Sequence, residues 1–79
     1  SEIYLKSASL YLDDLPRRVT FAELTQLAQE RGEVCLGVKL KAAEDRADLN
    51  YGITLAPPKS STWALEGADT LVVLAEDET

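Results

Sequence analysis

Fourteen carboxylates, a single cysteine and no histidine set the chemistry open to this chain. The carboxylates are grouped: Asp13 with Asp14, then Glu44, Asp45 and Asp48, then Glu76, Asp77 and Glu78. Paired carboxylates can divide general-acid and general-base roles, provided that their environments push the two pKa values apart. These groups lie in polar stretches, where solvated loop charge is the expected state. Oxygen-rich loops also suit calcium or magnesium, which makes Asp13, Asp14, Glu44, Asp45 and Asp48 candidates for a cation site, although none has EF-hand spacing. Cys35 would need a base to act as a nucleophile, and histidine, the commonest base, is missing. The four glycines are dispersed and none opens a helix, so the chain carries no phosphate-cradling loop. The residues favour a protein that is not an enzyme. A cation-dependent hydrolase fragment is the catalytic alternative, and it would require the metal.

The elements that hold these groups are legible from periodicity. In "EIYLKSASLYL", Ile3 and Leu5 share one parity while Ala8, Leu10 and Leu12 share the other. A strand cannot bury both sets on one face without a bulge or break near Ser7. Thr20 followed by Glu23 makes a capping box, Val19 and Leu24 make a hydrophobic staple, and Phe21, Leu24, Leu27 and Ala28 form one apolar stripe. Gly32 supplies the left-handed cap and Arg31 suits the negative end of the helix. "EVCLGVKLK" alternates, which predicts Val34, Leu36, Val38 and Leu40 on the buried face, with Cys35 packed in the strand as a small side chain. "AAEDRADLN" reads as a flexible loop, "YGITLA" as the returning strand of a hairpin, and Pro57 and Pro58 as its terminator. "EGAD" predicts a tight turn and "TLVVLA" a fully buried strand. Trp63, between a serine-rich corner and that turn, suits core or interface. The expected fold class is α+β: a β-α-β-β-β domain, mostly antiparallel, with one helix on one face of the sheet. One helix leaves much of a four-stranded sheet uncovered, which calls for a partner.

Bulk composition narrows the class. Seventy-nine residues make one domain, of a size that buries only roughly 60% of its unfolded surface and gains from association. A net charge of −6 argues against nucleic acid and against direct membrane contact, because both present anionic surfaces. One cysteine rules out an internal disulfide framework and fits a reducing compartment. The chain has no methionine, so residues 1–79 are expected to be a piece of a longer protein.

In the order strand, capped helix, "RGEVCLGVKL", hairpin, turn and "LVVLAED", the chain resembles the C-terminal subdomain of RCK domains, the regulators of potassium conductance, also called TrkA-C domains. Within that group it is most similar to the CASTOR and POLLUX channel proteins and their bacterial relatives. The corner Ala56-Pro57-Pro58-Lys59 resembles their asparagine-proline-proline-lysine corner, with alanine in the first place. Asp69 ends the turn before a strand leading to Glu76 and Asp77, with Ala68 where a glycine is usual. The resemblance implies a structural part for Pro57, Pro58, Lys59, Asp69, Glu76 and Asp77. It also implies a cytoplasmic regulatory domain of a potassium or other cation channel that pairs as a homodimer and builds a gating ring. Its neighbours would be a nucleotide-binding RCK half and a membrane pore. A regulatory nucleotide or divalent cation is implied for the family, but this stretch itself carries no cofactor motif and no ligand contact transfers to it. A small-molecule- or cation-sensing module of a soluble protein is the alternative.

Overall fold

A computed structural model describes residues 1–79. Six strands and one helix make two antiparallel sheets: β1 (Glu2–Ser7), β2 (Arg17–Thr20), α1 (Phe21–Glu30), β3 (Val34–Lys39), β4 (Ile53–Leu55), β5 (Thr62–Leu65) and β6 (Thr70–Ala75). The larger sheet runs β1-β6-β3-β4, and β2 pairs with β5 separately. The coarse α+β class matches the expectation. The order β-α-β-β-β omits β2 and β5, which are four residues each and lack a clean alternating pattern. They form because each supplies the other's hydrogen bonds, with Val19 opposite Trp63. No helix is long and apolar enough to cross a membrane.

The helix starts where local chemistry places it. Thr20 Oγ1 accepts from the Glu23 amide at 3.1 Å, and Glu23 Oε1 accepts from the Thr20 amide at 3.0 Å. That backbone hydrogen bond comes first among the contacts holding the Glu23 carboxyl below its ordinary pKa; the Thr20 hydroxyl and Arg17 add to it. Val19 and Leu24 are buried as a staple requires, and Gly32 takes φ +74° beyond the C-cap. Thr20→Ala removes the cap acceptor and is expected to lower stability by about 1 kcal/mol, read as a shift of the urea midpoint at constant slope.

The core lies between the helix and one face of the large sheet: Leu24 and Ala28 join Val38, Leu71 and Val73, while Val19 and Leu65 join from the small sheet. Strand β6 is central, between β1 and β3, which explains its unbroken apolar run. The parity slip near Ser7 is the end of β1: Ser7 caps a single 3₁₀ turn over Ala8–Leu10 instead of continuing a kinked strand. Strand β3 corrects the sequence pattern. A bulge between Cys35 and Gly37 inserts an extra residue, so Cys35 and Val38 face the core while Val34 stays exposed and Leu36 turns to the opposite side. The loop after β3 contains 3₁₀ turns at Lys41–Ala43 and Ala47–Gly52. Tyr51, expected in the returning strand, has φ +57° and lies outside it. That strand ends at Leu55, before Ala56 at φ +49° and the two prolines.

Candidate functional site

Two features stand out from ordinary solvated surface. The first is the face of the large sheet away from the helix. Ile3 and Leu5 from β1, Val72 from β6, Leu36 from β3, and Ile53 and Leu55 from β4 line a shallow apolar groove of about 360 Å³, completed by Ala56. None of these residues is charged. Ile3 is 64% exposed and Leu55 59%, an unusual state for neighbouring branched aliphatics. The side-chain period of two explains the arrangement. Tyr4 and Lys6 turn inward from β1, which leaves Ile3 and Leu5 on the open side. The sequence pattern foresaw the uncovered sheet but assigned Leu36 to the buried side.

The second feature is a buried ionic cluster that sequence reasoning did not single out. Lys6 on β1 is only 3% exposed and Glu33, before β3, only 5%. Lys6 Nζ lies 2.6 Å from Glu33 Oε2, and Tyr11 Oη donates to Glu33 Oε1 at 2.5 Å. Arg31 Nε approaches Glu33 Oε2 at 3.4 Å, and its guanidinium lies 5.2 Å from the Tyr11 ring centre. Burial alone would raise the Glu33 pKa. The hydrogen bonds from Lys6 and Tyr11, and then the charges of Lys6 and Arg31, outweigh it and hold the carboxyl below the ordinary range. Burial first, then the bond to Glu33, pushes the Tyr11 hydroxyl up. One signal in the sequence could have exposed the cluster: Lys6 shares parity with Tyr4, so a strand that buries one buries the other.

The residues nominated from sequence are dispersed. Asp13 and Asp14 are exposed, with Asp14 3.6 Å from Arg17. Glu44 pairs with Lys41 and Asp48 with Arg46, while Asp45 contributes to no ion pair. No group of three or more His, Cys, Asp or Glu residues is placed to hold a metal ion. Cys35 is buried and its thiol is pushed up by that burial. Trp63 packs edge-on against Phe21, with centroids 6.2 Å apart at 81°, which places it against the core.

Asp69, Lys59, Glu76 and Asp77, from the motif corner and closing strand, make contacts within the fold. Asp69 accepts from the Lys41 amide through Oδ1 and from the Glu66 amide through Oδ2, both at 2.8 Å, joining the turn before β6 to the loop after β3. Lys59 donates to Thr25 Oγ1 at 3.1 Å and lies 5.4 Å from the Phe21 ring centre, so the corner after Pro57 and Pro58 is tied to the helix. Glu76 accepts from Ser1 Oγ at 3.2 Å, and Asp77 accepts from Thr79. Comparison with protein-family models, with curated proteins and with solved structures returns no match.

Proposed function

We propose that this chain is a non-catalytic regulatory and assembly domain, and that a second copy covers the open face of its sheet. The carrying observation is the uncharged apolar groove formed by Ile3, Leu5, Leu36, Ile53, Leu55 and Val72. Charge favours a second copy. Each chain carries −6, so most mutual approaches are repulsive, and the groove offers contact without a carboxylate on either side. A two-fold contact also presents the same patch from both partners, so apolar surface meets apolar surface.

The short motifs around Pro57–Lys59 and Asp69–Asp77 support the more specific reading of an RCK C-terminal kind of domain in a potassium or other cation channel. In that setting, pairing would couple subunits of a gating ring. A ligand that prefers one arrangement would then shift opening by its differential affinity.

Sedimentation velocity tests the assembly reading. A dimer is expected at micromolar concentration, and the double variant Leu5→Asp with Leu55→Asp is expected to weaken it by about a hundredfold while leaving the fold intact, since both side chains are exposed. A monomer at every concentration overturns the reading.

A further inference from the structure

The two edges of the large sheet are protected unequally. Strand β4 has three residues and runs into Ala56 at φ +49°, then Pro57 and Pro58, features that stop a further strand from adding there. Strand β1, at the other edge, has six residues, no proline and an unbroken register with β6. Its one cation, Lys6, points inward and is already paired with Glu33, so it does not guard the edge.

The hydrogen-bond ladder fixes which β1 groups are free. Leu40 N–H bonds to Gly52 O and Ala56 N–H to Leu36 O, so the even positions of β3 serve β4, while Gly37 and Lys39 serve β6. Their partners on β6 are Val72 and Thr70, which leaves Val73 and Leu71 to bond with Tyr4 and Lys6. The bond from Ala8 N–H to Asp69 O, at 2.9 Å, continues the same phase. The N–H and C=O groups of Ile3 and Leu5 therefore point away from the sheet, and neither residue bonds to a turn or loop. Both residues are more than half exposed.

A second copy of β1 fits this edge. With the strands antiparallel about a two-fold axis at Tyr4, each Ile3 N–H donates to the partner's Leu5 carbonyl, and each Leu5 N–H to the partner's Ile3 carbonyl. Glu2 then lies opposite the partner's Lys6, and Tyr4 opposite the partner's Tyr4, so no like charges face each other. On the open side Ile3 lies beside the partner's Leu5, and the two apolar grooves join across the axis. Moving the axis to Leu5 loses the charge match and drives Glu2 against the partner's 3₁₀ turn at Ala8–Leu10.

We propose that β1 pairs with β1 of a second copy about a two-fold axis at Tyr4, joining the two four-stranded sheets into one. This contact uses the sheet edge and does not rest on the face contact proposed above.

The test is NMR of the 79-residue chain at concentrations where sedimentation shows association. An equal mixture of ¹³C-labelled and unlabelled chains should give an intermolecular NOE between the α-protons of Glu2 and Lys6. Within one strand these residues are roughly 14 Å apart, so a single copy does not produce it. The Ile3 and Leu5 amides should exchange more slowly as concentration rises. Leu55→Asp opposes the face contact from the far edge and should leave both signals in place. In that background Ile3→Pro removes the outward N–H while sparing the bonds to β6, and should weaken association about tenfold, the effect of losing one backbone bond from each copy. Association without the Glu2–Lys6 NOE, and with unchanged exchange at Ile3 and Leu5, overturns the proposal and leaves the face contact standing. A chain that stays monomeric overturns both. Dispersed spectra show that each variant is folded, and if Ile3→Pro is not, the NOE in the parent chain decides.

Discussion

Glu33→Ala is expected to lower stability by about 3–5 kcal/mol, because it strands the Lys6 ammonium in the core without its counter-charge. Tyr11 loses the acceptor for its hydroxyl at the same time. A domain of this size has total stability on the order of 4–12 kcal/mol, so the variant should be largely unfolded or have a much reduced urea midpoint. The double variant Lys6→Met with Glu33→Leu should recover most of that loss, since replacing both charges with apolar groups removes the desolvation cost together with the attraction. Urea denaturation of the two chains checks the argument. A loss below about 1 kcal/mol for Glu33→Ala would mean that water reaches Lys6 and solvates it.

The same carboxyl sets a pH dependence. Its folded pKa lies below the usual 4.5, so between the two values the unfolded chain binds more protons. The contribution of Glu33 is therefore fully present above pH 4.5 and is lost as the pH falls through the lower, folded value. Glu33→Gln should flatten the fall in urea midpoint between pH 7 and pH 3. Glu23, Asp48 and Asp77 are also held low, so the comparison with the parent chain isolates the part due to Glu33.

Gly37→Ala is the second large effect. A Cβ at this position would lie 1.9 Å from the Thr54 carbonyl oxygen and 2.9 Å from its carbon. The obstruction is backbone, which no rotamer change relieves. Either β3 or β4 must move, and β4 is the three-residue edge strand. The expected cost is about 3 kcal/mol, the upper part of the range for overpacking. Strand β4 should separate from β3, which would show as faster amide exchange at Leu40 and Ala56. In the parent these amides bond to Gly52 O at 2.9 Å and Leu36 O at 2.7 Å. Ile53 and Leu55 would leave the open face with β4, so self-association should fall together with protection. Unchanged exchange at both amides would show that β3 yields instead.

The helix was readable because its signals are local. The Thr20–Glu23 box, the Val19–Leu24 staple and Gly32 act within one or two turns, and no distant contact competes with them. Central β6 was readable for a related reason, since its neighbours β1 and β3 shield even Val72 on the open side, which is 6% exposed, and such a strand reads as an unbroken apolar run. The short strands β2 and β5 were not, because four residues carry too little pattern until the partner strand is present. The β3 bulge also stayed hidden. Alternation assumes regular pairing, and the register of β3 depends on β6 and on the close approach of Thr54 to Gly37.

The surfaces divide in the same way. Composition and element order are enough to specify a small acidic α+β domain with an under-covered sheet and no histidine. Which residues that sheet exposes depends on how its strands pair. A one-residue bulge reverses the facing of Val34 and Leu36, and facing depends on pairing rather than on residue type. The tertiary structure alone also joined Lys6, Tyr11, Arg31, Glu33 and Thr79, which are distributed from β1 to the last residue. Their charges interact strongly because the fold removes water from around Lys6 and Glu33, and burial of that kind is a property of packing that no local stretch of sequence contains.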